Sequence, residues 1–238
     1  MTSRKEAGAA GLARLAGLIA DETRAGCLLA LLDGRAWTAG ALARHTGVAP
    51  STLSEHLGKL VAGGLLAEER QGRHRYVRLA DARIAQLVED LTAQVSPDSG
   101  ARRTRTLGEA GAGSAMARGR TCYDHLAGRL GIAVTDALTE RGLLRQDAGF
   151  VLTDAGLRWF DAAGIVLDRR GRRPLARACL DWTERRPHLA GVAGAALCRH
   201  ALAAGWCVRI GSERAVKVTE TGERALSELL GIEAAALS

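Results

Sequence analysis

Aromatic side chains make up only 3% of the 238 residues. A core with so few of them has to be built from Leu, Val, Ile and Ala, which suits close-packed helices better than an extensive β-sandwich. Lysine is confined to Lys5, Lys59 and Lys217, so the formal charge of +7 and the pI near 9.7 come almost wholly from arginine. No run approaches the roughly 18 apolar residues that cross a bilayer. The Ala/Gly/Leu stretch after Arg4 and Lys5 is broken by Arg14, Asp21 and Glu22, which argues against a secretory signal, so a cytoplasmic protein without membrane contact is expected. The five cysteines are dispersed and include no C-x-x-C pair, which excludes a zinc ribbon and a disulfide framework and predicts reduced thiols. There is no phosphate loop, no G-x-S-x-G elbow and no H-E-x-x-H, and the expectation is that the chain is not an enzyme. Cys122 and His125 read as one helix turn, an unusual arrangement for a nucleophile and its base.

What the chain does have is local order. Leu12, Leu15, Leu18 and Ile19 share a face of a first helix, and Asp21 caps a second that runs through Cys27, Leu28 and Leu31 to Gly34. Cys27 fits there as a small core residue better than as a reactive thiol. Residues 37–66, WTAGALARHTGVAPSTLSEHLGKLVAGGLL, parse as helix, turn, helix. Thr38 caps the first helix, Gly47 supplies a left-handed turn, and Pro50 opens the second. Leu53, Leu57, Leu60 and Val61 form a buried stripe on that second helix. Ser51, Thr52, Glu55 and Lys59 lie opposite, with Ser54 and His56 on the flanks. Such a face fits a major groove, and equally an ordinary solvated surface.

The next segment decides between them. Residues 65–81 read as two strands around a turn at Gln71 and Gly72, with Arg70, Arg73, His74 and Arg75 at the tip. A basic wing directly after a polar-faced helix points to DNA, with Ser51, Thr52, Ser54 and His56 reading base edges and the wing arginines meeting phosphates. Thr38, Glu55, Lys59, Arg70 and His74 complete the candidate DNA-binding set. Asp81 then caps a helix with Ile84, Leu87, Val88, Leu91 and Val95 on one face, suited to a two-fold dimer on a palindromic operator.

Residues 12–95 resemble the ArsR family of winged-helix repressors, carried by LIADETRAGCLLALLDG, LARHTGVAPSTLSEHLGKLVAGGLL and the wing RQGRHRYVRL. The resemblance implies a recognition helix at Pro50–Val61 and a dimeric repressor released by an inducer. It does not extend to the family's metal sites. The helix WTAGALARH has no thiol, and the helix after the wing offers Asp81, Glu89 and Asp90 without histidine, so no metal site is assigned.

Residues 96–120, rich in Ser, Gly, Ala and Arg, read as a linker or helical extension. Beyond it HLAGRLG at His125 returns as HLAGVAG at His188, an offset of 63 (188 − 125), and FVLTDAG returns as VKVTETG. RTCYD at 120–124 likewise parallels RACLD at 177–181. The expected fold is therefore predominantly α with small β-hairpins (α+β). A winged helix-turn-helix over 1–95 would precede a tandem repeat over 121–238, with degenerate winged-helix-like units at 121–167 and 177–232 of helix, β-hairpin and helix.

Each unit supplies a cysteine, an aspartate and a histidine: Cys122, Asp124 and His125, then Cys179, Asp181 and His188. These fit a site for a soft metal, a thiol-reactive agent or a small molecule, and also packing and capping residues repeated by duplication. Trp182, Arg185 and Arg186 could line a pocket for an anionic or aromatic effector, or be an ordinary Trp beside a solvated Arg pair. Cys198 and Cys207, without counterparts in the first unit, read as core. The expected function is a DNA-binding regulator with double-stranded DNA and a second copy of itself as partners, no cofactor required for DNA binding, and an effector of unknown identity. A protein-interaction module of winged domains is the alternative, disfavoured by the basic wing.

Overall fold

The computed structural model describes residues 2–71, 74–95, 115–147, 149–210 and 214–237. They divide into two compact units, Met1–Val88 and Glu89–Ser238, with the boundary inside a helix.

In the first unit helix α1 (Thr2–Ile19) is followed by α2 (Glu22–Ala30), whose cap is Asp21, accepting the Arg24 amide. Gly34, at φ 78°, closes the 3-10 turn Leu31–Asp33 after it. Helix α3 (Ala39–Thr46) starts at Thr38, whose Oγ1 accepts the Ala41 amide, and ends at Gly47 with φ 74°. Helix α4 (Pro50–Ala62) has Pro50 in its first turn, where a missing N–H costs nothing. Strands β2 (Leu66–Gln71) and β3 (His74–Leu79) form the wing. A third strand that sequence periodicity does not signal, β1 (Trp37–Thr38), pairs with β3 and gives the sheet the order β1-β3-β2. Cys27, Leu28, Leu31, Leu42, Leu53, Leu57, Leu60 and Val77 fill the core at 1% exposure or less. Helix α5 (Ala82–Ala93) follows, with Asp81 accepting the Arg83 and Ile84 amides.

The second unit holds one run of elements twice. The first run is β4 (Arg120–Cys122), β5 (His125–Ala127), α6 (Gly128–Glu140), β6 (Leu144–Arg145), β7 (Val151–Leu152) and α7 (Asp154–Ala162). The second is β8 (Arg177–Leu180), β9 (Pro187–Ala190), α8 (Gly191–Ala203), β10 (Cys207–Arg209), β11 (Val216–Val218) and α9 (Glu220–Leu230). Thr153 and Thr219 cap α7 and α9 in the same way, each accepting the amide of the glycine three residues on. A single apolar core runs through both, from Leu126 to Leu237, and includes Cys198 and Cys207.

Two sequence expectations change here. HLAG does not begin a helix: His-Leu-Ala is a strand in both runs, and Gly128 (φ 71°) and Gly191 (φ 85°) turn the chain into the helix through a conformation that side chains disfavour. Arg120 does not belong to the linker either, being the first residue of β4 and fully buried. Of the span 96–120, residues 96–114 lie outside the described residues, whereas 115–118 are helical.

Candidate functional site

Helix α4 presents one face to the core and the other to solvent. Leu53, Leu57 and Leu60 are buried, while Ser51, Thr52, Ser54, Glu55 and Lys59 are exposed. Ser54 Oγ donates back to the Pro50 carbonyl at 2.9 Å, which leaves Ser51 and Thr52 as the small polar groups at the open N-terminal end. His56 is not on the open face. Its side chain is 16% exposed and its Nδ1 lies 3.4 Å from Asp21 and 3.5 Å from the Arg24 guanidinium, because this edge of α4 packs on the start of α2. Thr38 is likewise half-buried and occupied with capping.

On the wing, Arg70 is 80% exposed and Arg75 is 31% exposed, both within ion-pair distance of Glu68 on β2. Neighbouring Arg70 and Arg75 face each other across the hairpin, as do Gln71 and His74 one step nearer the turn. Arg73 lies outside the described residues, as does the side chain of His74.

The second unit holds a buried polar cluster built by register. Pairing of β4 with β5 sets Cys122 opposite His125, and pairing of β8 with β9 sets Cys179 opposite His188. Cys122 and His125 thus meet across a two-residue turn, not along a helix. The two hairpins face each other: the Sγ atoms are 3.9 Å apart and the Nε2 atoms of the histidines 3.1 Å apart. One ligand atom from each of Cys122, His125, Cys179 and His188 lies within 4.8 Å of the others, and all four residues are buried. Helix α6 can lie close on β9, and α8 on β5, because Gly131 and Gly194, again 63 apart (194 − 131), have no Cβ. One there would strike the carbonyl of Leu126 or Leu189 and meet the Cβ of His188 or His125.

Each histidine is backed by the aspartate of its own hairpin. His125 Nδ1 is 3.3 Å from Asp124, which Arg173 clamps with two nitrogens. His188 Nδ1 is 3.2 Å from Asp181 Oδ2, without the alignment of a hydrogen bond. Asp181 also takes the Arg120 guanidinium at 2.9 Å, the Gly128 amide at 2.7 Å and the Thr183 and Glu184 amides. Burial would raise both carboxyls, but His188 and Arg120 around Asp181, and Arg173 and His125 around Asp124, hold them well below the usual range.

The thiols divide the same way. Cys122 is raised, by its hydrogen bond with Cys179, by burial and by the Glu89 carboxylate beside it. Cys179 is lowered, by its hydrogen bond with Cys122 against the cost of burial, and further by His125 and His188. Burial pulls His188 down, but Asp181 and the Cys179 sulfur outweigh it and hold its pKa raised. Cys27 and Cys198 are pushed up to about 11 and Cys207 to about 12, chiefly by burial, consistent with inert core thiols. No described cysteine forms a disulfide.

Comparison with known proteins places this architecture. A family described as a helix-turn-helix domain matches residues 19–69. An uncharacterized HTH-type transcriptional regulator of Bacillus subtilis, YdfF, is 38% identical over 225 residues, covering 93% of this chain and 98% of the relative. The chain belongs to the HTH-type transcriptional regulators.

The regulator is also 40% identical over 84 residues to CmtR of Mycobacterium tuberculosis, 35% of this chain and 70% of CmtR. A solved structure of CmtR, described as a cadmium metal-sensor, covers 39% of the regulator and 99% of that chain at 36% identity, with a TM-score of 0.31. A homodimeric winged helix-turn-helix domain from Mycobacterium bovis, described as a possible ArsR-family regulator, covers 37% of the regulator and 81% of that chain at 32% identity, with a TM-score of 0.35. Nearly full coverage by YdfF means that the similarity runs through both units, not the DNA-binding one alone. No helix among the described residues is long and apolar enough to cross a membrane.

Two functional groups escaped the sequence reading. Glu89, 1% exposed, accepts the Cys122 thiol at 2.9 Å, the Trp182 indole N–H at 3.1 Å and the Arg214 guanidinium, with Arg120 Nε 3.4 Å away. Arg120 in turn donates to Met116, Thr183 and Asp181 and lies over the Trp182 ring. The only sequence signal for Arg120 was its place in the repeated RTCYD and RACLD, and Glu89 was noted only as one of three carboxylates on the helix after the wing. The proposed anion pocket around Trp182 and Arg186 is already spoken for. Trp182 serves Glu89, Arg186 pairs through two nitrogens with Asp136, and Arg185 donates to the Ala93 and Val95 carbonyls.

Proposed function

We propose that the regulator binds a palindromic double-stranded operator as a homodimer and represses transcription until an effector held in residues 89–238 releases it. Ser51 and Thr52 read base edges from the open end of α4, Lys59 and Arg70 meet phosphates, and no cofactor takes part. The exposed Leu91 and Val95 at the end of α5 are available to a second copy. The two runs of the second unit are degenerate winged elements that kept the hairpins and lost the basic wing, and they serve as sensor and scaffold. The reading assigns no catalytic residue.

The observation that carries the sensing half is the convergence of Cys122, His125, Cys179 and His188 beside Glu89. Helix α5 leaves the wing at Ala82 and carries Glu89 to the Cys122 thiol, so an occupant of the cluster acts on a residue of that helix. A useful sensor couples its ligand to DNA affinity by about 1–3 kcal/mol.

The test is footprinting and mobility-shift titration of the full chain on DNA from its own upstream region, repeated with soft metals, thiol oxidants and small organic ligands. Two protected half-sites related by a two-fold axis, released by an effector in the wild type and not in Cys122→Ser/Cys179→Ser, are expected. Effector release that persists in a folded double variant removes sensing from the cluster.

A further inference from the structure

We propose that Cys122 Sγ, Cys179 Sγ, His125 Nε2 and His188 Nε2 are the four ligands of a closed tetrahedral site for one zinc-class divalent cation that clasps the two hairpins of the second unit. This deepens the sensing reading by naming the chemistry of its ligand.

The dimensions fit. With Zn–S of about 2.3 Å and Zn–N of about 2.0–2.1 Å, a tetrahedron has edges of roughly 3.8 Å between sulfurs and roughly 3.3 Å between nitrogens. The sulfurs here are 3.9 Å apart and the Nε2 atoms 3.1 Å apart. The donors fit as well: two thiolates and two imidazoles select a borderline-soft d10 ion, whereas calcium and magnesium require oxygen ligands.

The surroundings are those of a ligand set. The Nε2 atoms of the two histidines face each other, and each Nδ1 lies beside an aspartate, hydrogen-bonded for His125 and at 3.2 Å for His188, the kind of outer carboxylate that supports a metal-binding imidazole. Cys122 and Cys179 pack with Ala127 and Ala190 in a small buried cluster, and the two imidazole edges meet beside it.

Occupation has a defined consequence. Each thiol that becomes a ligand releases its proton to solvent, so the hydrogen bond from Cys122 to Glu89 is lost while Trp182 and Arg214 still hold the other carboxylate oxygen. The metal therefore acts on α5 through one residue.

The experiment takes the reduced full chain, stripped with a chelator, and titrates it with Zn2+ and with Co2+ as the spectroscopic probe. One equivalent per chain is expected, with the intense visible bands of tetrahedral cobalt and a thiolate-to-cobalt charge-transfer band. Cys122→Ser, Cys179→Ser and His188→Gln each lower Zn2+ affinity at least tenfold against a competing chelator, and Cys27→Ala leaves it unchanged. Ca2+ and Mg2+ do not compete.

Should the ligand variants not fold, the wild type still decides. Mass-spectrometric mapping of alkylation in dilute urea, which opens buried thiols, finds Cys122 and Cys179 modified more slowly with Zn2+ than without it. A folded wild type that binds no Co2+ with a thiolate band, or whose Cys122 and Cys179 alkylate equally with and without Zn2+, overturns the proposal. Stoichiometric metal binding that leaves DNA affinity unchanged upholds the site and overturns the metal-sensing reading. Release of DNA by another effector from a chain that binds no Co2+ upholds effector sensing and overturns the metal site.

Discussion

In residues 1–88 the polar groups of helix α4 stand in water. Ser51, Thr52 and Lys59 occupy the open side of a helix whose other side is Leu53, Leu57 and Leu60. In residues 89–238 the corresponding groups are sealed in: Arg120, Asp181 and His188 are 0% exposed, Glu89 1% and His125 3%. The difference is thermodynamic. A solvated polar face has no desolvation cost until DNA arrives, so it needs no partner within the chain. A buried charge is tolerated only when paired and hydrogen-bonded, so each one in the second unit had to be matched. The first region leaves its polar face open to solvent, and the second closes its polar groups within the fold.

Breaking the sealed network should have the largest effect. Asp181→Ala leaves the Arg120 guanidinium with Glu89 as its remaining carboxylate, strips His188 of its support and orphans the Gly128 amide. A loss of about 3–5 kcal/mol in the unfolding free energy of the second unit is expected. Urea titration followed by far-UV circular dichroism measures it, and a loss below about 1 kcal/mol would mean that the network is relaxed by water.

On the open side, Thr52→Ala should cost roughly 1–3 kcal/mol on the operator and much less on random DNA, with stability unchanged, because Thr52 is exposed and on the polar face. Competition mobility shifts separate the two losses. Equal loss on both DNAs would make α4 a positioning element. The wing sharpens the contrast further. Arg70→Ala should weaken all DNAs alike and lower the salt slope by about 1. Arg75, less exposed and held by Glu68, should give a smaller change.

The same contrast explains what was legible in the sequence. The first unit is written in local signals: Asp21 and Thr38 at helix starts, Gly47 in the turn, Pro50 in the first turn of α4, alternation along the wing. Strand β1 was missed because two residues carry no period, and its existence depends on pairing with β3, nearly forty positions away. In the second unit the repeat exposed the right cysteines, aspartates and histidines but not their geometry.

Hairpins with three- and four-residue strands look like helix starts when the next residues are Leu-Ala-Gly. The loop between Cys179 and His188 is also six residues longer than that between Cys122 and His125, which hides the common register. Glu89 was invisible for a different reason. On a helix with an apolar stripe, a glutamate reads as solvated, and nothing local says that Trp182, Arg214 and Cys122 will close over it.

The smallest expected effect tests the boundary between the two kinds of polar residue within the first unit itself. By helical position His56 belongs with Ser51 and Thr52 as a reader of bases, but it is 16% exposed and turned toward Asp21 and Arg24. Arg24 is itself anchored by the Leu18 and Gly17 carbonyls, so the histidine sits on a tether between α1, α2 and α4 rather than on the groove-facing surface. His56→Ala should therefore change operator affinity by less than about 0.5 kcal/mol, within the range of surface substitutions. Thr52→Ala assayed beside it is the internal standard. A loss on the operator comparable to that of Thr52→Ala, absent on random DNA, would show that His56 leaves Asp21 and swings into the groove when DNA binds. The polar edge of α4 would then belong to the DNA surface after all.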